Sequence, residues 1–206
     1  MELRSARTYI RSWRRQDDDL ADEWPSYDDP LDALWNLPRQ LTAGATHWSN
    51  GFESGGMRRT WAVEDLNGQL IGRISLREID EHSGVARLGI TFGAPYIGRG
   101  LGTEALATFL DCYFTDLGFR AMVLDVAGPN QRAVRCYRRL GFQAVGNDWR
   151  DAGLYFDQRV LERPRYVGVR QFFRPGQRGL CVQFFEMRLD REAWFALRQG
   201  LRQAHR

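Results

Sequence analysis

The β-rich run VARLGITFG passes into four glycines between Gly93 and Gly102, then into EALATFLDCYFTDLGF, whose apolar residues recur at helical spacing. This glycine-rich strand-to-helix turn constrains the fold more than any other stretch. Glycine takes positive φ without steric cost and lets a ligand approach the main chain. The opening N–H groups of the helix have no internal partners, so they form an anion site. Several turns fit this outline, a plain strand-to-helix connection among them. The P-loop needs G-K-S/T, and the chain has no lysine, so it is excluded. The dinucleotide fingerprint GxGxxG follows a first strand, whereas GRGLGT lies mid-chain with Thr103 at the last glycine position. A turn holding the pyrophosphate of an acyl-CoA stays open beside the plain connection.

The stretch Asn130–Phe142, NQRAVRCYRRLGF, adds a second constraint. Seven helical positions return nearly to one face, roughly 10 Å along the axis. Asn130, Ala133 and Tyr137 therefore share a stripe, while Arg132, Arg135, Arg138 and Arg139 point mostly elsewhere. An amide, a small residue and a phenol suit the lining of a slot better than a core.

Asn67-Gly68 between RTWAVED and QLIGRISLREID marks a hairpin, and EHSG marks a second before VARLGITFG. RTYIRSW, AMVLDV, QAVG, GLYF and CVQFFEMRL read as strands. An Asp of QDDDLADEW caps a helix toward Trp24, short helices and loops occupy Asp28–Ser54, Gly118 stops the glycine-turn helix, and Asp190 caps a last helix. The chain reads as a single domain over residues 1–206, with an Arg-, Pro- and Gly-punctuated insertion at about 163–179.

No apolar run approaches the roughly 20 residues of a membrane span, and MELRSARTYI lacks the apolar core of a secretory signal. Cys112, Cys136 and Cys181 lie far apart with no CxxC pair, which points to reduced thiols in a cytoplasm and away from a metal site. A net charge of +3, carried by arginine alone, is weak support for nucleic-acid binding.

Together the two motifs resemble the GNAT superfamily of N-acetyltransferases, nearest its ribosomal-protein N-terminal and polyamine or antibiotic branches. The family's cofactor turn reads Q/R-x-x-G-x-G-A/G. Ile97-Gly98-Arg99-Gly100-Leu101-Gly102-Thr103 matches at both central glycines and departs at Ile97 and Thr103. The family's N…A…Y…LGF matches Asn130, Ala133, Tyr137 and Leu140-Gly141-Phe142, and FFEMRLDREAW is similar to a closing strand and helix. The resemblance implies an α/β (α+β) GNAT fold: a central mixed, mostly antiparallel sheet, helices on both faces, and parallel strands 4 and 5 splayed around acetyl-CoA.

In that fold Ile90, Thr91 and Phe92 would offer backbone groups to the pantetheine arm and thioester. Gly98, Arg99, Gly100, Leu101, Gly102 and Thr103 would hold the pyrophosphate through main-chain N–H groups. Asn130 would bond the pantetheine amide or a water, and Tyr137 would protonate the leaving thiolate. The implied activity is acetyl transfer from acetyl-CoA to an amine (a protein N-terminus, polyamine or antibiotic-like amine) by direct attack, without a metal. A non-catalytic acyl-CoA-binding module is the alternative.

The resemblance places an acid where Arg87 stands, so the base stays open between Asp125, the Glu78/Asp80 pair and a water chain. Glu104, in a first helical turn, reads as structural. His47, His82 and His205 read as surface residues, and Trp24, Trp35, Trp48 and Trp61 as core or pocket wall. The run Asp17–Asp19, Asp22, Glu23, Asp28, Asp29 is a solvated helix start or an acceptor wall for a cationic amine. The insertion reads as an edge hairpin or homodimer contact, with an RNA surface through Arg170 and Arg174 as the rival reading. No nucleic acid or membrane partner is expected.

Overall fold

The computed structural model describes residues 1–39, 58–177 and 179–204. Short β1 (Leu3–Arg4) and β2 (Thr8–Ser12) precede α1 (Gln16–Asp22). Then come β3 (Arg59–Asp65), β4 (Leu70–Asp80), β5 (Val85–Phe92), α2 (Leu101–Thr115), β6 (Ala121–Ala127) and α3 (Gln131–Arg139). The chain closes with β7 (Gln143–Asp151), β8 (Phe173–Gly176), β9 (Gly179–Asp190) and α4 (Arg191–Ala204).

All described strands share one sheet in the order β1-β2-β3-β4-β5-β6-β9-β7, with β8 also on β9. Only β5 and β6 run parallel; their helical crossover is α2. Both expected hairpins form, β3–β4 through Asn67-Gly68 and β4–β5 through the turn ending at Gly84. The pair called strands 4 and 5 in the family's count is thus β5 and β6 here.

Side-chain alternation divides the interior into two apolar layers. Met122, Leu124 and Val126 of β6 and Met187 and Leu189 of β9 join the larger cluster, with α2, α3 and α4. Ala105, Phe109 and Tyr113 follow helical spacing along α2 and are fully buried; the Phe109 ring meets Trp61 edge-on at 4.9 Å. Val182 and Phe184 of β9 point the other way, onto Leu31, Leu34, Val160 and Tyr166. On β2, Ile10 enters the larger cluster while neighbouring Arg11 reaches Asp17 of α1. Helices therefore cover both faces.

Three local expectations need correction. GLYF is not a strand: Asp151 Oδ1 accepts the Gly153 N–H at 2.8 Å to close a turn, and Leu154 and Tyr155 are exposed. No Asp side chain caps α1, whose cap position is Arg15; Asp17 instead accepts the Arg14 N–H. The insertion becomes a hairpin only from Phe173, because Pro164–Phe172 coils into 3-10 turns.

Candidate active site

Parallel pairing between β5 and β6 covers Val85–Arg87 against Ala121–Val123 and stops there. Five residues of β5 and four of β6 continue beyond it. Their outer edges stay in the sheet, Phe92 against Gly72 of β4 and Ala127 against Phe184 of β9. The strands therefore part like a V, closed at its base. Tyr113 pins that base: its hydroxyl accepts the Ala86 N–H at 3.1 Å and donates to the Ala121 carbonyl at 2.7 Å.

A cavity of about 520 Å³ opens at the V. Ile90, Thr91 and Phe92 wall one side and Asp125 and Val126 the other. Gly98, Gly100, Gly102 and Thr103 form its end, and Asn130, Ala133 and Tyr137 complete the wall from α3. The sequence stripe thus lines one slot. Arg99 and Leu101 are absent from that wall. Leu101 turns into the core, and the Arg99 side chain points to solvent while its carbonyl accepts from Arg7 Nη1 at 3.2 Å.

Gly98 and Gly100 adopt φ of +75° and +81°, left-handed values that explain glycine at both places. Gly100 caps α2, and the first bond of the helix runs from Glu104 N to its carbonyl at 3.0 Å. The amides of Leu101, Gly102 and Thr103 precede that bond and have no acceptor within the helix. Glu104 is structural, as its position implied. It accepts from Ser5 Oγ, Arg7 N and Arg7 Nε, each at 2.7 Å. Partial burial pushes its carboxyl up, but these donors outweigh that and leave it lowered.

Asn130 Oδ1 accepts the Ala133 N–H at 3.2 Å, so one side chain both caps α3 and faces the slot. Tyr137 packs edge-on against Phe142 with ring centroids 5.8 Å apart. Burial holds its phenol well above the ordinary value. Cys136 also lines the slot, its sulfur 3.1 Å from Thr103 Oγ1, linking α3 to α2. Burial pushes this thiol up. Sequence reasoning missed Cys136, although it lies three residues from Ala133 on a helix.

The candidate bases are engaged. Arg87, 1% exposed, donates to Glu78 at 2.8 Å, Asp125 at 2.9 Å and Glu186 at 3.1 Å. Asp125 also meets Arg39 at 3.2 Å and Arg150 at 3.3 Å. Glu78 sits at φ +47° in a β4 bulge that aims it at Arg87. Asp80 accepts the His82 and Ser83 N–H groups, both at 3.0 Å, and holds a turn.

The acidic run divides. Asp17 is fully buried and takes Arg11 at 2.7 and 2.8 Å, far from a solvated role. Asp28 and Asp29 line a second cavity of about 340 Å³ beside the first. Trp35, read from sequence as core or pocket wall, and Tyr27, which sequence reasoning missed, wall both cavities, and the Tyr27 hydroxyl donates to the Phe92 carbonyl. Trp61 is core, and Trp24 Nε1 donates to the Leu70 carbonyl at 3.2 Å. His82 is an exposed turn residue; His47, Trp48 and His205 lie outside the described residues. In the insertion, Arg170 donates to the Leu161 and Glu162 carbonyls, and Arg174 stacks on Trp149 at 4.2 Å. Both arginines are exposed while making these contacts. Among the described residues, no group of three or more His, Cys, Asp or Glu side chains is placed to hold a metal ion.

Comparison with known proteins places this geometry. The family described as "Acetyltransferase (GNAT) domain" matches residues 7–143. The spermidine N(1)-acetyltransferase of Escherichia coli strain K12 is 33% identical over 84 residues, covering 41% of this chain and 45% of the relative. The chain thus matches less than half the length of that relative. Spermidine N-acetyltransferase from Vibrio cholerae, solved with CoA and spermine, superposes with a TM-score of 0.62 at 19% identity, covering 93% of this chain and 99% of the other. A GCN5-related N-acetyltransferase from Brucella melitensis gives 0.63 at 21% identity, covering 98% and 84%. At such identities these structures establish the shared fold. The family match over residues 7–143, on a sheet parted between β5 and β6, shows that the chain belongs to the GNAT acetyltransferase family.

Proposed function

We propose that the protein transfers an acetyl group from acetyl-CoA to a primary amine by direct attack within a ternary complex. The observation that carries this reading is the parting of β5 and β6 beyond Arg87 and Val123, with a cavity ending at the glycine turn. The residues suit the substrate. Main-chain amides from Gly98 to Thr103 take the diphosphate, the β5 edge at Ile90–Phe92, which does not pair with β6, takes the pantetheine amides, and Asn130 adds a side-chain amide.

Acetyl-CoA supplies the activated thioester. The neutral amine attacks its carbonyl carbon, and a main-chain N–H at the Phe92 end of β5 steadies the charge growing on oxygen. As the carbon–sulfur bond breaks, Tyr137 passes its proton to the thiolate; the product nitrogen then releases its extra proton to solvent, and solvent returns one to the phenolate. Such acid catalysis is worth about 10²–10⁴-fold, and alignment of the reactants contributes further. Relatives named for spermidine support an amine acceptor, with protein N-termini and antibiotic-like amines as the other classes. The exposed apolar residues Leu154, Tyr155 and Val167 support a homodimer contact near the insertion, and a cytoplasmic setting fits the three free thiols.

The second reading, a non-catalytic acyl-CoA-binding module, is favoured by the ion pairing of Asp125 and Glu78 with Arg87. Thiol release from acetyl-CoA across spermidine, aminoglycosides and N-terminal peptides separates the two. Release with any of them supports the transferase. Cofactor binding without release supports the module, and neither would sink both.

A further inference from the structure

Five residues wall both cavities: Tyr27, Trp35, Ile97, Asn130 and Arg132. Three of them have other anchors. Tyr27 is tied to the Phe92 carbonyl, Asn130 caps α3, and Ile97 packs against the main core. Arg132 differs. Its guanidinium lies 5.1 Å above the Trp35 ring and 6.0 Å from Tyr27, rings that meet edge-on at 5.1 Å. Among the described residues it has no carboxylate partner. It also stands in the first turn of α3, where the helix dipole disfavours a positive charge. Two aromatic faces alone hold a cation at a disfavoured place, across the boundary between two cavities.

We propose that Arg132 is a specificity-determining residue: its guanidinium fills an aromatic seat that a second positive charge of a polycationic acceptor takes instead. Resting on the transferase reading, this assigns the larger cavity to the acetyl end and the smaller one to the acceptor's distal cation. A monoamine leaves Arg132 on Trp35. A triamine displaces it, lays an ammonium over Trp35 and Tyr27, and places positive charge beside Asp28. That carboxylate lines the smaller cavity and has no partner among the described residues. Neighbouring Asp29 is already held, accepting from Leu31 N at 3.0 Å and the Tyr166 hydroxyl at 2.8 Å. Trp offers the best ring for a cation, so the seat suits ammonium as well as guanidinium.

The test compares propylamine with spermidine, by kcat/KM and by calorimetric titration of the CoA-loaded chain. Arg132→Gln empties the seat and raises the spermidine-to-propylamine ratio about five- to tenfold in both measurements. Arg132→Lys, which restores a cation to the rings, leaves the ratio within about twofold of the parent. Trp35→Leu lowers it. An unchanged or falling ratio in Arg132→Gln overturns the proposal, as does a loss for both amines in step with weaker acetyl-CoA binding. Should spermidine binding strengthen in Arg132→Gln while no amine is acetylated, the seat stands and the transferase reading falls.

Discussion

Tyr137 is the acid of the proposed reaction. Its ring is closed in by Phe142 and its phenol is pushed well above the ordinary range by burial, while the side chain still lines the slot. Tyr137→Phe keeps the packing and removes the proton. We expect kcat to fall by about 10²-fold or more, with acetyl-CoA affinity within about twofold, read by thiol release and calorimetry. Equal loss of both would remove the acid role. Asp17 is the opposite case, an acid turned wholly to structure. Hydrogen bonds from Arg11 hold its carboxyl below the usual range, although burial opposes them. Because the folded-state value is depressed, the stabilisation is fully present above about pH 4 and is lost as pH falls through the lower folded value. Asp17→Asn should flatten that acid limb in thermal melts. It should also cost about 1–3 kcal/mol at neutral pH, because Arg11 loses one of its two carboxylate partners and keeps Glu64. A variant as stable as the parent across this range would contradict the assignment.

At the scale of elements, the decisive object is a pair of strands that bond for three residues and then part. Tyr113 holds the closed end. Tyr113→Phe leaves the Ala86 N–H and Ala121 carbonyl without their shared hydroxyl, at a cost of about 1–3 kcal/mol. We expect a melting temperature lower by about 2–4 °C per kcal/mol, with acetyl-CoA binding weakened because the V loses its pivot. Unchanged melting would show that the hydroxyl does not pin the strands. Asn130 joins element to site in another way. Asn130→Ala should cost about 1 kcal/mol through the lost cap and also raise the Kd for acetyl-CoA. A cap variant that binds the cofactor as before would confine Asn130 to the helix.

Across the whole molecule, features written in local sequence were readable and features made by distant approach were not. Asn67-Gly68, the glycine turn and the Asn130–Ala133–Tyr137 stripe each follow from neighbours a few residues apart. GLYF misled because aromatic and apolar residues favour strands in general, whereas here Asp151 closes a turn and Tyr155 projects into solvent. The fate of the carboxylates was invisible, since Arg87 meets Glu186 across 99 positions and Asp125 across 38. The Tyr27–Trp35–Arg132 assembly likewise unites residues about a hundred positions apart, and no periodicity announces it. What these contacts build is a gap between two strands with bare amides at its end, and calorimetric titration with acetyl-CoA tests that directly. The account predicts saturable binding of one molecule per chain, with a Kd between about 1 μM and 1 mM. Absence of saturable heat across that range would contradict it.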